Sequence, residues 1–215
     1  MSEWIMIYEE YSEGVELIYG AVQAYLEYSL PCTDQSDEQM LSGCNYIEIK
    51  EEKDLTGYRI RVGQNPRNSA YQRILITACD QVNLLYAAAD FKNKYLPYAK
   101  CADMTGPTYY FYRLFHDPMK EWDRTFAPRI QHRGLWTWGF VMLDYRKYID
   151  RMAALRLNTL ILWNDTPPVN IQEVISYAHK RGVSVYLGYA WGWDNRCAEN
   201  KSVAAHMSRL KQLQE

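Results

Sequence analysis

Apolar and polar positions alternate along the chain in two regimes. In the first, up to about residue 118, WIMIYEE reads as a strand. EGVELIYGAVQAYLEYSL then places Val15, Ile18, Val22, Leu26 and Leu30 at steps of three and four, the apolar stripe of a helix, and Pro31 ends it. NYIEIKE, GYRIRVG and RILITACD alternate with period two and read as three short strands, separated by the turn-forming EEKDLTG and GQNPRNS. Three strands in succession favour antiparallel hairpins. LLYAAADFKNKYLPYA is a second amphipathic helix, so residues 1–118 are expected to form a small α+β domain, β-α-β-β-β-α, with a mainly antiparallel sheet and its helices on one face.

The segment HDPMKEWDRTFAPR, rich in Pro, Asp and Arg, reads as a linker over 119–130. Beyond it the pattern becomes strand–helix repeated. RGLWTWG, TLILWND and VSVYLGYAWGW are strands. DYRKYIDRMAALRLN, with Tyr145, Ile149, Met152 and Leu155, and IQEVISYAHKRG, closed by Gly182 as a C′ glycine, are helices, and SVAAHMSRLKQLQE starts a third. Arg133 to Thr159 and Thr159 to Val183 span 26 and 24 residues, the repeat of parallel strands joined by right-handed helical crossovers. Residues 131–215 therefore predict the first three βα units of a TIM (β/α)8 barrel. The 83 residues from Arg133 to Glu215 are far fewer than the roughly 200 to 250 of a closed barrel, so the rest of the barrel, or a second copy, is expected to cover the open sheet edge.

Composition narrows the possible partners. With 48% hydrophobic residues the chain can bury a core. A net charge of −2, from 24 basic and 26 acidic residues well interleaved, leaves no electrostatic footprint for nucleic acid or an anionic membrane. No basic leader or apolar run of about 18 residues stands out, which predicts a cytoplasmic protein. Cys32, Cys44, Cys79, Cys101 and Cys197 are odd in number and lack metal spacing, as expected of reduced thiols. His116, His132, His179 and His206 fit no metal motif, and phosphate loops and nucleophile elbows are missing, so neither metal nor cofactor is expected.

The tryptophans carry the chemistry. Five of the seven, Trp136, Trp138, Trp163, Trp191 and Trp193, fall where the three parallel strands end, beside Asn164, Asp165 and Asp194. Binding sites of parallel α/β folds form at the carboxyl ends of the strands. Sugar rings present apolar C–H faces and hydroxyl rims, which flat indoles flanked by carboxylates and amides match. The same indoles would also serve as core filling if they turned toward the helices. Strand alternation makes Trp136 and Trp138 share a direction, as do Trp191 and Trp193, so each pair faces one way unless the strand has already given way to loop.

HRGL at 132–135 followed by YIDRMAALRLNTLILWND resembles the opening of the catalytic barrel of family 20 glycoside hydrolases, the β-N-acetylhexosaminidases. GYRIRVG, RILITACD and LLYAAADF are similar to the small domain that precedes that barrel. The resemblance spans nearly the whole chain and implies a carbohydrate substrate, with Arg133 binding sugar hydroxyls and Asp165 in the substrate pocket. The family's substrate-assisted mechanism takes its Asp-Glu pair from the end of the fourth strand, which this sequence does not reach, so no catalytic residue is assigned and no hydrolysis is expected of the chain as given. GYAWGWD stands where the family has a Pro-Glu-x-Asp run. YLGYAWGW is also similar to the third strand of family 67 α-glucuronidases, and a non-catalytic carbohydrate-binding module is a further alternative.

Overall fold

A computed structural model describes residues 4–27, 29–35, 37–100, 119–138, 140, 142–163 and 168–188. The first unit is a six-stranded mixed sheet. Its strands are β1 (Trp4–Tyr8), β2 (Cys32–Thr33), β3 (Asn45–Glu51), β4 (Tyr58–Gln64), β5 (Gln72–Ala78) and β6 (Trp122–Phe126), in the spatial order β2-β1-β3-β5-β4-β6. β1 pairs in parallel with β2 and β3, and β3 pairs in parallel with β5. Only β4 is antiparallel, to β5 on one side and β6 on the other. The expected antiparallel sheet is thus corrected to a mostly parallel one. The reason is visible in burial: β3 and β5 bury residues on both faces, as central parallel strands do, whereas β4 alternates strictly with Tyr58, Ile60 and Val62 inward.

The linker expectation also needs correction, because β6 lies within 119–130 and pairs with β4. Trp122 and Phe126 turn toward the core, while Asp123 faces out and takes a bidentate bond from Arg59 at 2.8 and 2.6 Å. A charged edge strand reads as linker because only its two ends are apolar.

Helix α1 (Glu13–Leu26) starts at Ser12, whose hydroxyl accepts from the Val15 amide, and buries Val15, Ile18, Val22 and Leu26. It stops at Leu26, with Glu27 left-handed, before the expected end at Pro31. A short helix α2 (Glu38–Ser42) follows. Helix α3 (Gln81–Asp90) runs through a π-helical turn, Phe91–Tyr95, into α4 (Leu96–Lys100). α1 and α3 pack together over one sheet face, with Leu84 against Gly14. α2 lies on the other face with Leu41 against Ile5, Ile7 and Tyr46, so the helices are not confined to one side.

The second unit is a separate three-stranded parallel sheet, β7 (Gly134–Trp136), β8 (Thr159–Trp163) and β9 (Ser184–Gly188), in that order. Helices α5 (Tyr145–Ala154) and α6 (Ile171–Lys180) form the crossovers and bury Ile149, Met152, Val174 and Ala178 against Leu160 and Leu162. Leu155, expected on the buried stripe, lies just past α5 and is 69% exposed. The chain is an α/β protein. Among the described residues no helix is long and apolar enough to cross a membrane.

Both crossover helices end in the same hydrogen-bonded turn. After α6 the amide of Gly182 donates to His179 O and that of Val183 to Ala178 O, with Gly182 left-handed at φ 69°. After α5 the amides of Arg156 and Leu157 donate to Ala153 O and Met152 O, with Arg156 at φ 61° where glycine is preferred. These turns feed the N-terminal ends of β9 and β8, and there the first unit docks. Arg156 pairs with Asp90, Arg181 pairs with Glu13 at 2.6 Å, and Gly182 lies against Val82. The C-terminal strand ends are left at the far side.

Candidate functional site

Period-two alternation sorts the second sheet into two faces. Leu160, Leu162, Val185 and Leu187 point to the helices, which leaves Trp136, Ile161, Trp163 and Tyr186 on the opposite face. Trp136 and Trp163 are the last residues of β7 and β8. Their indoles meet at 5.4 Å between ring centroids, inclined at 54°. Trp163 has room because its cross-strand partner is Gly188, where a Cβ would sit 2.5 Å from the indole.

Trp138 comes next in an unusual way. The chain turns at Thr137–Phe140, closed by the Phe140 amide donating to Thr137 O at 3.0 Å, and Trp138 takes φ 51° in it. Primed turns of this kind favour Gly, Asn or Asp at that position, and a bulky residue there is held at a cost of about 1–3 kcal/mol. The turn lays the Trp138 indole flat on Trp136, with centroids 4.2 Å apart and an interplanar angle of 9°. Such an aromatic pair contributes about 0.5–1.5 kcal/mol beyond its buried area, so stack and strain are of similar size. Beneath the turn Thr137 is buried, 2% exposed, and its hydroxyl accepts from the Trp163 amide at 3.2 Å. The side chain takes over the ladder acceptor as the backbone of β7 leaves the sheet.

Three of the five tryptophans therefore form one contiguous cluster at the carboxyl ends of β7 and β8, away from the helices. Trp136 and Trp138 remain 43% and 65% exposed, beside Phe140 at 72%. An exposed cluster of this size suits a ligand with a flat apolar face. Asn164, Asp165, Trp191, Trp193 and Asp194 lie outside the described residues.

Arg133 is at the other end of its strand. Its guanidinium donates to the carbonyls of Arg156 at 2.7 Å and of Ile130 at 2.5 Å, and its own amide donates to Asn158 Oδ1 at 2.8 Å. It also faces the buried Tyr86 of α3, whose hydroxyl pKa is raised by burial and lowered in part by the Arg133 charge. These contacts tie β7 to the docking side, and Arg133 does not join the tryptophans. His179 is exposed on α6. Among the described residues no three His, Cys, Asp or Glu side chains are grouped to hold a metal ion; Cys32 and Cys79 are free thiols, and the Cys44 thiol donates to Met40 O at 3.2 Å.

The sequence reading missed Thr137 and Gly188, which support the cluster without belonging to it. The signal for both was strand register, since each faces the end of β8. A cleft of about 290 Å³ lies where β1, β3 and β5 end, its lining including Glu9, Glu10, Lys50, Glu51, Asp80 and Leu84. Glu9 accepts from the Glu51 amide and Asp80 from the Asn83 amide at the start of α3, so these two carboxylates are engaged locally.

No protein-family model matches the chain, and no curated protein matches it at a significant level.

Proposed function

We propose that the chain is the opening part of a carbohydrate-active glycoside hydrolase, β-N-acetylhexosaminidase-like, in which the parallel second unit begins a (β/α)8 barrel and the tryptophan cluster is a sugar platform. The observation that carries this reading is the contiguous set Trp136, Trp138 and Trp163 at the carboxyl ends of parallel strands, turned away from the helices, with Trp136 and Trp138 exposed and Trp163 half-buried. Docking of the first unit against the opposite strand ends supports it, because that arrangement leaves the mouth open to ligand. Further βα units, or a second copy, would cover the outer edges of β7 and β9. Asp165, two residues past Trp163, would supply the polar rim.

The test is a titration of the chain with N-acetylglucosamine and with glucuronic acid, followed by ligand-observed NMR. Saturable binding of N-acetylglucosamine, lost in Trp163→Ala and weakened in Asp165→Ala, is the expected result. Preference for glucuronic acid would favour an α-glucuronidase-like hydrolase, the alternative suggested by YLGYAWGW. Binding of neither sugar would remove the carbohydrate reading.

A further inference from the structure

Trp138 combines three properties that do not belong together in a settled side chain. It occupies a backbone conformation, φ 51°, that its bulk disfavours; it is 65% exposed, so burial does not compensate; and what holds it is a parallel stack on Trp136. Trp136 touches Trp163 as well as Trp138, and the flat face that meets Trp138 is covered by it. An indole at 4.2 Å and 9° takes the layer a sugar ring would take on the same platform.

We propose that Trp138 is an internal occupant of the platform, a gate that must swing off Trp136 before a pyranose ring can stack there. This rests on the carbohydrate reading above. The turn at Thr137–Phe140 is the hinge: opening it lets Trp138 leave its left-handed conformation, so relief of backbone strain offsets the broken indole stack. Thr137, buried and bonded to both Ile161 O through its amide and the Trp163 amide through its hydroxyl, is the fixed point about which the turn opens. Trp136 and Trp163 stay in place, since both belong to the sheet. Ligand affinity is then reduced by the fraction of molecules in which the platform is open.

The discriminating variant is Trp138→Asn, which suits the left-handed turn position and clears the platform at once; Trp138→Ala is its companion. With N-acetylglucosamine and glucuronic acid as probes and the whole chain as sample, the gate predicts binding of the preferred sugar about three- to tenfold tighter in Trp138→Asn than in wild type, and loss of binding in Trp136→Ala. In protein labelled with 5-fluorotryptophan, the resonance assigned to Trp138 by its loss in Trp138→Asn should shift toward the solvent-exposed position as sugar is added. Binding that persists in wild type but is unchanged or weaker in Trp138→Asn would overturn the gate and leave the carbohydrate reading standing. No saturable binding in either wild type or Trp138→Asn would overturn both.

Discussion

Arg156 reaches from the end of α5 to Asp90 of α3, with its Nη1 2.8 Å from the carboxylate, while its guanidinium lies 4.0 Å over the ring of Phe126. The same carboxylate accepts from the Tyr58 hydroxyl and from Lys94. One left-handed residue at a helix C-terminus thus gathers β4, β6 and α3 of the first unit onto the second. The side chains of Arg156 and Asp90 are only 23% and 17% exposed, so the pair is screened less than a surface bridge.

This arrangement separates two contributions that a single substitution would confuse. Arg156→Ala should destabilise the protein by about 1–3 kcal/mol, since it removes the ion pair between the units and the contact over Phe126, leaves Asp90 with Tyr58 and Lys94 alone, and keeps the unfavourable φ. Arg156→Gly should recover about 1 kcal/mol of that loss, because glycine accepts the left-handed position freely. Denaturant melts of the two variants provide the check, and equal stabilities would show that the backbone at 156 is not strained.

Gly182 carries the second docking point. It is left-handed at φ 69°, and a Cβ there would overlap the Val82 side chain of α3. Gly182→Ala should cost about 1–3 kcal/mol from strain and crowding together. If crowding contributes, Val82→Ala in the same chain returns part of that loss beyond additivity, which a double-mutant cycle of thermal stabilities measures.

The periodicity made α1, α5, α6 and the parallel second sheet legible, because each buries a regular stripe such as Val15, Ile18 and Val22 or Ile149 and Met152. What it did not carry was strand order. β5 inserts between β3 and β4, a choice set by the parallel register of Tyr46–Glu51 with Arg73–Ala78 and by a β4–β5 connection that Asn65 holds through the carbonyls of Leu41 and Cys44. No local pattern encodes a pairing across 27 residues. The tryptophan cluster was legible as far as strand ends, where Trp136 and Trp163 lie, but Trp138 follows from a turn that its own residue type disfavours. For Arg133, which the resemblance implies as a sugar ligand, the sequence gives its place at the start of a strand but not the direction of a long side chain, which the carbonyls of Ile130 and Arg156 set in the fold.

Acid stability should report on Glu48. Burial alone would raise its pKa, but the hydrogen bond from Lys50 and the charge of Arg73 outweigh that, and the carboxylate is held below its ordinary value of 4.5. The lowered folded-state value means that this contribution is present above the unfolded value and is lost as pH falls through the folded one. Glu48→Gln should therefore cost about 1–3 kcal/mol at neutral pH and progressively less below about pH 4.5. Urea melts of both proteins across that range are the measurement; a difference that stays constant would mean the ion pairs do not contribute.

Thr137 offers the sharpest test of how the site is held. Its hydroxyl is the only acceptor the described residues give the Trp163 amide on the β7 side, at 3.2 Å, and the residue is buried. Thr137→Val keeps shape and β-branching while removing that acceptor, so the Trp163 amide loses a partner at a cost of about 1–3 kcal/mol. Thr137→Ser keeps the acceptor and should recover most of the loss. Because the bond fixes where β7 gives way to the turn, the effect should not stop at stability: the near-ultraviolet circular dichroism of the stacked indoles should weaken in Thr137→Val and return in Thr137→Ser. A Thr137→Val protein with wild-type stability and an unchanged indole spectrum would show that main-chain pairing alone positions the tryptophans.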